Sequence, residues 1–192
     1  MRVSIKGTFD LIKADFYHWC GLYKKERSFS SWLSFLMLPS STAVIVYRFE
    51  HYFYRKNLKF FSRLLFCLNV FLTGAEIVPE ACIGGGFILF HSTATMVAGK
   101  IGDNVILSGN VAIGTNGTKK DIGAGGGLPV VGDNVKVGLR AMILGPVNIG
   151  AGVNIRAGAG VFSDMPANTL VGGFPALVLK EIGPEYNIFD RP

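Results

Sequence analysis

The stretch VGDNVKVGLRAMILGPVNIGAGVNIRAGAGV, residues 131–161, repeats with a period of six. Each unit opens on an aliphatic residue, and glycine often follows it. The aliphatic positions are Val131, Val137, Ile143, Ile149, Ile155 and Val161. Neither the period of an α-helix, roughly 3.6 residues, nor the simple alternation of a β-strand produces this spacing. A unit this short cannot fold alone, so the period predicts a solenoid in which three units close one triangular coil.

The same register continues toward the N-terminus. Its aliphatic residues there are Ile77, Ile83, Leu89, Ile101, Leu107 and Ile113. Residues 119–130, KKDIGAGGGLPV, are rich in glycine and lack aliphatic residues in register, so they predict a loop excursion. We therefore predict a mainly β domain over residues 76–180, a parallel β-helix of about five coils, and a C-terminal tail over residues 181–192.

Residues 1–75 predict an α-helical N-terminal region. Serines precede the apolar run SWLSFLML, and Pro39 restarts the chain, as expected at helix N-termini. The region has eleven Lys or Arg and four Asp or Glu, a charge of +7, whereas the remainder of the chain carries −1. Arg63 interrupts the apolar segment well short of the roughly 20 residues that span a bilayer. A transmembrane helix is therefore not predicted.

Two interpretations of the basic and aromatic segment 30–73 remain open. The segment can pack within a helical bundle or an oligomer interface, or it can make peripheral contact with an anionic membrane. No nucleic-acid-reading motif accompanies the positive charge, so nucleic acid is not an expected partner. The first residues lack the order of a signal peptide. We expect a cytoplasmic protein, located at the inner face of the cytoplasmic membrane if the second interpretation holds.

The stretch GGGFILFHST, residues 84–93, contains the candidate catalytic residue His91. Phe87 and Leu89 fall on inward positions of the repeat, which places His91 near a corner of the coil. A histidine beside apolar neighbours is more often structural than catalytic, so residue type alone does not decide its role. The cysteines have no metal-ligand spacing, and the other two histidines lie in the helical region, so no metal site is predicted.

The repeat resembles that of the hexapeptide-repeat acyltransferases, whose units read aliphatic-G-x-x-small-x. The resemblance covers roughly residues 74–180 and ends in VGGFPALVLK, which is similar to the closing coil of that family. EIVPEACIGGGFILFHSTA resembles the DIHPxAxIGxGxxxDHxTG motif of the serine acetyltransferases, and IGTNGTKK resembles the start of their GGTGK loop. The resemblance implies a left-handed parallel β-helix and a homotrimer, which the helical region can double into a dimer of trimers.

This resemblance also implies the roles of two residues. His91 takes the place of the general base, and Glu76 takes the place of the acidic residue that orients it, with the spacing of fifteen residues kept. A histidine can remove a proton from an acceptor hydroxyl and return it to a departing thiolate. The implied activity is O-acetyl transfer from acetyl-CoA.

Small and basic residues match the places where the resembled family binds acetyl-CoA. Small residues let the pantetheine arm approach the wall of a groove, and Lys or Arg can bind its phosphates. These candidates are Gly114, Thr115, Gly117, Lys119, Lys120, Ala141, Ala157, Gly158, Ala159, Gly173, Pro175 and Lys180. Taken singly, each glycine has the alternative explanation that it turns a corner.

The acceptor pocket departs from the serine acetyltransferase pattern. Phe90 replaces the aspartate that holds the amino group of serine, and Leu128 lies where an Arg-His pair is expected. We therefore predict a sugar hydroxyl as acceptor, in a bacterial surface polysaccharide or its lipid-linked precursor. Two alternatives stay open. Serine can be the acceptor if Arg140, Lys119 or a neighbouring subunit supplies its contacts, or the chain can be a non-catalytic β-helix for assembly or membrane binding.

Overall fold

The computed structural model describes residues 4–183 and 185–189, which form a helical region followed by a β-helix. The helices in this part are α1 (Ile5–Leu22), α2 (Phe29–Leu36), α3 (Pro39–Arg55) and α4 (Lys59–Thr73). The side chains of Ser4 and Ser28 accept hydrogen bonds from backbone N–H groups in the first turns of α1 and α2. The predicted helical region is thus confirmed. Residues 1–3 of that region and residues 184 and 190–192 of the predicted tail lie outside the described residues.

The remainder of the described chain is built from short strands. They are β1 (Ala75–Ile77), β2 (Cys82–Ile83), β3 (Ile88–Leu89), β4 (Thr95–Val97), β5 (Lys100–Ile101), β6 (Ile106–Leu107), β7 (Ala112–Gly114), β8 (Val130–Val131), β9 (Lys136–Val137), β10 (Met142–Leu144), β11 (Asn148–Ile149), β12 (Asn154–Ile155), β13 (Gly160–Val161), β14 (Thr169–Gly173) and β15 (Ala176–Glu181).

These strands stack as three faces of a prism. The first face has the order β1-β4-β7-β10-β13, the second β2-β5-β8-β11, and the third β3-β6-β9-β12-β14. All neighbours on a face are parallel except β15, which pairs antiparallel with β14 and closes the third face. The predicted left-handed parallel β-helix of about five coils is confirmed.

The aliphatic residues of the repeat form the core of the β-helix. All twelve predicted inward positions are buried, and together they make one continuous cluster. One inward position breaks the period. Ile77 pairs with Val97, so the step from Leu89 to the next inward residue is eight residues long and the step from Val97 to Ile101 is four. The corner between β3 and β4 is therefore longer than the period predicts, and this corner contains His91.

A buried ion pair joins the helical region to the first coil. Arg48 of α3 donates two hydrogen bonds to the carboxylate of Asp15 in α1, at 3.0 and 2.9 Å. Arg48 also donates to the carbonyl oxygen of Ile83 at 2.7 Å, and Asp15 accepts the N–H of Phe87 at 2.8 Å. Burial raises the pKa of Asp15 above its ordinary value, and the charge of Arg48 opposes that shift. The pair fixes the start of the β-helix because both side chains also bind its backbone.

The other two histidines have structural contacts with the first coil. His18 contacts the carbonyl oxygen of Gly86 through Nδ1, and His51 donates from Nδ1 to the carbonyl oxygen of Pro79 at 2.9 Å. Burial lowers the pKa of His51, which favours its neutral form. Both side chains therefore hold the helices against the β-helix.

Candidate active site

His91 lies on the long corner between β3 and β4. Its backbone is fixed because its N–H donates to the carbonyl oxygen of Ser108 at 2.9 Å and its own carbonyl accepts the hydroxyl of Thr95 at 3.2 Å. The side chain is exposed, and no described residue hydrogen-bonds its imidazole ring. The corner therefore presents a histidine with an anchored backbone and an imidazole that a substrate can reach.

Gly109 makes room for His91 from the coil below. A Cβ atom at Gly109 would lie 2.7 Å from the Cβ of His91, and the glycine has a φ of +151°. Any larger residue would therefore displace the histidine. The sequence reasoning did not identify Gly109. The sequence feature that could have identified Gly109 is its spacing of eighteen residues, one full coil, from His91.

Glu76, the predicted partner of His91, lies at the centre of β1 and is exposed. The segments that hold the two residues are neighbours, because the N–H of Ala94 donates to the carbonyl oxygen of Gly74 at 3.0 Å. The structure contains no hydrogen bond between the carboxylate of Glu76 and the imidazole of His91, both of which lie in the described part. The role of Glu76 stays a prediction.

Phe90, a predicted wall of the acceptor pocket, belongs to an aromatic cluster on the outside of the third face. Its ring meets that of Phe189 edge to face, with centroids 5.1 Å apart. The buried members of this cluster include Phe16 and Trp19 of α1 and Phe35 of α2. Phe90 is half-buried. Part of the apolar surface expected beside His91 is thus already covered by the chain itself.

The predicted excursion lies within the segment between Gly114, the end of β7, and Val130, the start of β8. Its backbone is ordered by its own side chains, since the carboxylate of Asp121 accepts the N–H groups of Gly123 and Gly125 at 2.7 and 3.0 Å. These bonds lower the pKa of Asp121. Leu128 is half-buried in this loop and is not a member of the aromatic cluster of Phe90. The role of Phe90 and Leu128 as walls of an acceptor pocket stays a prediction.

A groove of about 1120 Å³ lies between the third face and the C-terminal segment. The face contributes Ser108, Gly138, Leu139, Arg156, Ala157 and Leu170, and the segment contributes residues 180–183 and 185–189. The segment is fastened to the face because the N–H of Ile188 donates to the side-chain oxygen of Asn154 at 3.2 Å. Since Ser108 also binds the backbone of His91, the groove begins beside the candidate base.

The predicted donor-binding residues fall into three groups. Ala157 and Lys180 line the groove. Ala141 and Ala159 point into the core, with 1% and 0% exposure, so only their backbone can meet a ligand. The others lie on exposed corners, at the exposed end of β14 or on the loop after β7, except for Gly114, which is buried next to Met96. These others are Gly114, Thr115, Gly117, Lys119, Lys120, Gly158, Gly173 and Pro175. Arg156, beside Ala157, is a further cation of the groove.

Within the described residues, no group of three or more His, Cys, Asp or Glu side chains could hold a metal ion. Within the same residues, no single helix has both the length and the apolar character needed to cross a membrane. Helices α2 and α3 together have that length and composition, but the chain bends by 85° at their junction.

Curated proteins of related sequence are serine acetyltransferases. The enzyme of Bacillus pumilus is 33% identical over 147 residues, which cover 76% of this chain and 66% of the relative. The enzyme of Synechococcus elongatus is 32% identical over 158 residues, 81% of this chain and 63% of the relative. The enzyme of Helicobacter pylori is 34% identical over 155 residues, 79% of this chain and 88% of the relative. The chain thus spans a little under two thirds of the length of the first two relatives.

Solved structures with this fold include serine acetyltransferases of two further bacteria. The Neisseria gonorrhoeae enzyme superposes with a TM-score of 0.78 at 28% identity, over 93% of this chain and 68% of the neighbour. The Brucella abortus enzyme in complex with coenzyme A gives a TM-score of 0.77 at 26% identity, over 91% of this chain and 68% of the neighbour.

No profile of a known protein family matches the chain. The match to the Helicobacter pylori enzyme nevertheless covers most of both proteins, 79% of this chain and 88% of the relative. The chain belongs to the serine acetyltransferase family of hexapeptide-repeat proteins.

Proposed function

We propose that this chain is an acetyl-CoA-dependent O-acetyltransferase in which His91 is the general base. The observation that carries the proposal is the position of His91, exposed on a corner with a fixed backbone at the start of a large groove. The sequence relatives support the activity, and the neighbour in complex with coenzyme A supports the donor.

The imidazole of His91 removes the proton from an acceptor hydroxyl while that oxygen bonds to the acetyl carbon. Acetyl-CoA supplies an activated thioester. As the carbon–sulfur bond breaks, His91 returns the proton to the departing sulfur, so the histidine ends the cycle neutral. Glu76 remains the candidate for fixing the imidazole tautomer, a role that needs a hydrogen bond to His91 which the described structure does not contain.

The groove along the third face suits the donor. Gly138 and Ala157 give it a wall of small residues that a thin pantetheine arm can approach, and Arg156 and Lys180 supply two positive charges for phosphates. A volume of about 1120 Å³ is ample for such a ligand. Lys119 and Lys120, exposed on the loop after β7, are further candidates for phosphate contacts.

We further propose that the acceptor is serine. The sequence relatives favour serine over the predicted sugar of a surface polysaccharide. The sugar prediction depended on the absence of ion-pairing side chains, with Phe90 and Leu128 in their places, and on the basic N-terminal segment. Phe90 is half-buried against Phe189, and Arg140 is an exposed cation that can supply an ion-pairing group instead. The argument for an acceptor without charges is therefore weaker than the sequence suggested.

Arg140 is the candidate for binding the serine carboxylate. It lies on the corner of the coil that follows Gly109, to whose carbonyl oxygen its N–H donates at 3.1 Å, and Gly109 in turn contacts His91. Its side chain is exposed, and a guanidinium can bind a carboxylate through two hydrogen bonds.

The oligomer and its location belong to the same proposal. Phe162, Phe174 and Leu177 expose large apolar side chains at the C-terminal end of the β-helix, which favours a homotrimer in which prisms pack side by side. We also propose that two such trimers associate through the helical region. The protein would lie in the cytoplasm, with residues 30–73 in contact with the inner face of the membrane.

The acceptor is tested by following release of the CoA thiol from acetyl-CoA with L-serine and with a panel of sugars. We expect serine-dependent release. Arg140→Ala should raise KM for serine about tenfold or more with a smaller change in kcat, because a charged hydrogen bond to the substrate is lost. Arg55→Ala, an exposed arginine of α3, is the matched control and should leave KM unchanged. Faster release with a sugar than with serine would overturn the serine assignment.

A further inference from the structure

The side of α4 that faces the protein is mostly polar. Its buried residues are Ser62, Phe66, Asn69 and Thr73. The amide of Asn69 donates to the carboxylate of Glu50 at 2.8 Å and to the carbonyl oxygen of Ala43 at 3.0 Å. The hydroxyl of Ser62 donates to the carbonyl oxygen of Glu50 at 3.0 Å. Helix α4 is thus held to α3 by hydrogen bonds and by a ring contact between Phe61 and Phe53, whose centroids are 5.9 Å apart.

The opposite side of α4 is apolar and exposed. We name it the outer face of α4, and it consists of Phe60 (74% exposed), Phe61 (51%), Leu64 (55%), Leu68 (45%), Phe71 (85%) and Leu72 (57%). The spacing of these residues puts them on one side of a helix. A surface helix in water normally has the reverse arrangement, so this face is suited to a less polar environment than water.

Positive charge borders the outer face. Lys59 and Arg63 lie on α4 itself, and Arg55 and Lys56 lie at the end of α3; all four are exposed. No Asp or Glu occurs between residues 51 and 75. The surface therefore combines large apolar side chains with positive charge, and its segment of the sequence contains no carboxylate.

We propose that the outer face of α4 binds the interface of a membrane that contains anionic phospholipids, with the helix axis in the plane of the bilayer. Helix α4 has 15 residues, or about 22 Å, which is too short to span a hydrocarbon core of roughly 30 Å. Its apolar side chains would enter the acyl region, and Lys59 and Arg63 would meet the headgroups. This inference deepens the membrane contact in the proposed function, but it does not depend on acetyl transfer.

The charge favours lipid over a second copy of the chain on this face. Contact between two identical outer faces would bring the cations of both copies together without a carboxylate between them. An anionic bilayer supplies both an apolar interior and negative headgroups. An anionic bilayer therefore matches both the apolar character and the positive charge of the outer face.

The first test is sedimentation of the purified full chain with vesicles. Vesicles of phosphatidylcholine and phosphatidylglycerol in equal parts should bind the protein, binding should weaken with salt, and vesicles of phosphatidylcholine alone should bind it at least about tenfold more weakly. Leu64→Gln with Leu68→Gln should lower affinity for the anionic vesicles about tenfold or more. Val178→Gln with Leu179→Gln, at 46% and 49% exposure on β15, is the matched control and should bind as the wild type does.

A polarity-sensitive dye on a cysteine gives an independent reading. Cys67 lies on α4 and Cys82 on β2; both are exposed, whereas Cys20 is buried. A dye on Cys67 in a Cys82→Ser background should shift to shorter emission wavelengths with anionic vesicles, and a dye on Cys82 in a Cys67→Ser background should not.

The inference would be wrong if the wild type did not bind anionic vesicles, or if the Leu64/Leu68 variant bound them as well as the wild type does. It would also be wrong if the variant differed from the wild type in oligomeric size while neither protein bound lipid. That last result would assign the face to a second copy of the chain. Acetyl transfer measured without vesicles tests the proposed function separately. Because the altered leucines are exposed, circular dichroism and thermal unfolding should match the wild type, which excludes misfolding as the cause of lost binding.

Discussion

The β-helix buries most of its large apolar residues, whereas helix α4 exposes most of its own. In the β-helix, aliphatic residues such as Leu107 and Val137 are fully buried. In α4, polar side chains such as Asn69 are buried and Leu64 and Phe71 are exposed. The β-helix thus obtains its stability from its own core, whereas α4 is held by a hydrogen-bonded network and leaves its apolar side for a partner. Leucine thus serves folding in the β-helix, and we propose that it serves binding in α4.

The largest effect is expected where the two regions meet. Arg48→Ala leaves the carboxylate of Asp15 buried without its ion pair, which should lower the free energy of unfolding by about 4 kcal/mol. Arg55→Ala on the same helix is exposed and should change it by less than about 0.5 kcal/mol. Urea unfolding followed by circular dichroism measures both. Equal losses in the two variants would mean that the ion pair does not fix the helices to the first coil.

A pair of leucine variants tests the contrast directly. Leu107→Ala should cost about 3 kcal/mol because it leaves a cavity in the core of the β-helix. Leu64→Ala on the outer face of α4 should cost less than about 0.5 kcal/mol in the absence of lipid. Urea unfolding again provides the measurement. A cost at Leu64 similar to that at Leu107 would show that the outer face contributes to folding, contrary to the comparison.

The polar side of α4 predicts a smaller, pH-dependent effect. Burial raises the pKa of Glu50 to about 7, partly offset by the hydrogen bond from Asn69, and one oxygen of the carboxylate has no partner in the described structure. Between the ordinary pKa and this value, the folded state binds more protons than the unfolded state, so the contribution of Glu50 to stability falls as pH rises to about 7 and then stays constant.

Glu50→Gln removes this titration. The variant should gain stability relative to the wild type by about 2 kcal/mol more at about pH 8 than at about pH 5. Unfolding free energies at the two pH values give the comparison. A gain that does not change with pH would contradict the assigned burial of the charge.

The sequence predicted the β-helix because aliphatic residues recur with a period of six along its coils. It could not predict the step from Leu89 to Val97, since a corner with two extra residues has no aliphatic signal of its own. The buried pair of Asp15 and Arg48 was missed for a different reason. Its partners are 33 residues apart on separate helices, and only the packing of those helices brings them together.

Prediction of the candidate site was equally uneven. His91 was predicted from a motif, and the structure places it on an exposed corner beside a groove, while its role as a base stays a prediction. The acceptor pocket was harder to predict because Phe90 is covered by Phe189, ninety-nine residues later in the chain. The residues next to Phe90 in the sequence do not indicate its contact with Phe189. The C-terminal segment thus shapes the groove in a way that the repeat alone could not reveal.

The most direct test of the proposed chemistry is the turnover of His91→Ala with acetyl-CoA and serine. The variant should lose at least about a hundredfold in kcat, because a general base contributes at least that much, while its unfolding temperature stays that of the wild type. Thr93→Ala, an exposed residue of the same corner, should keep its turnover. A His91→Ala protein that transfers acetyl groups at the rate of the wild type would contradict the account.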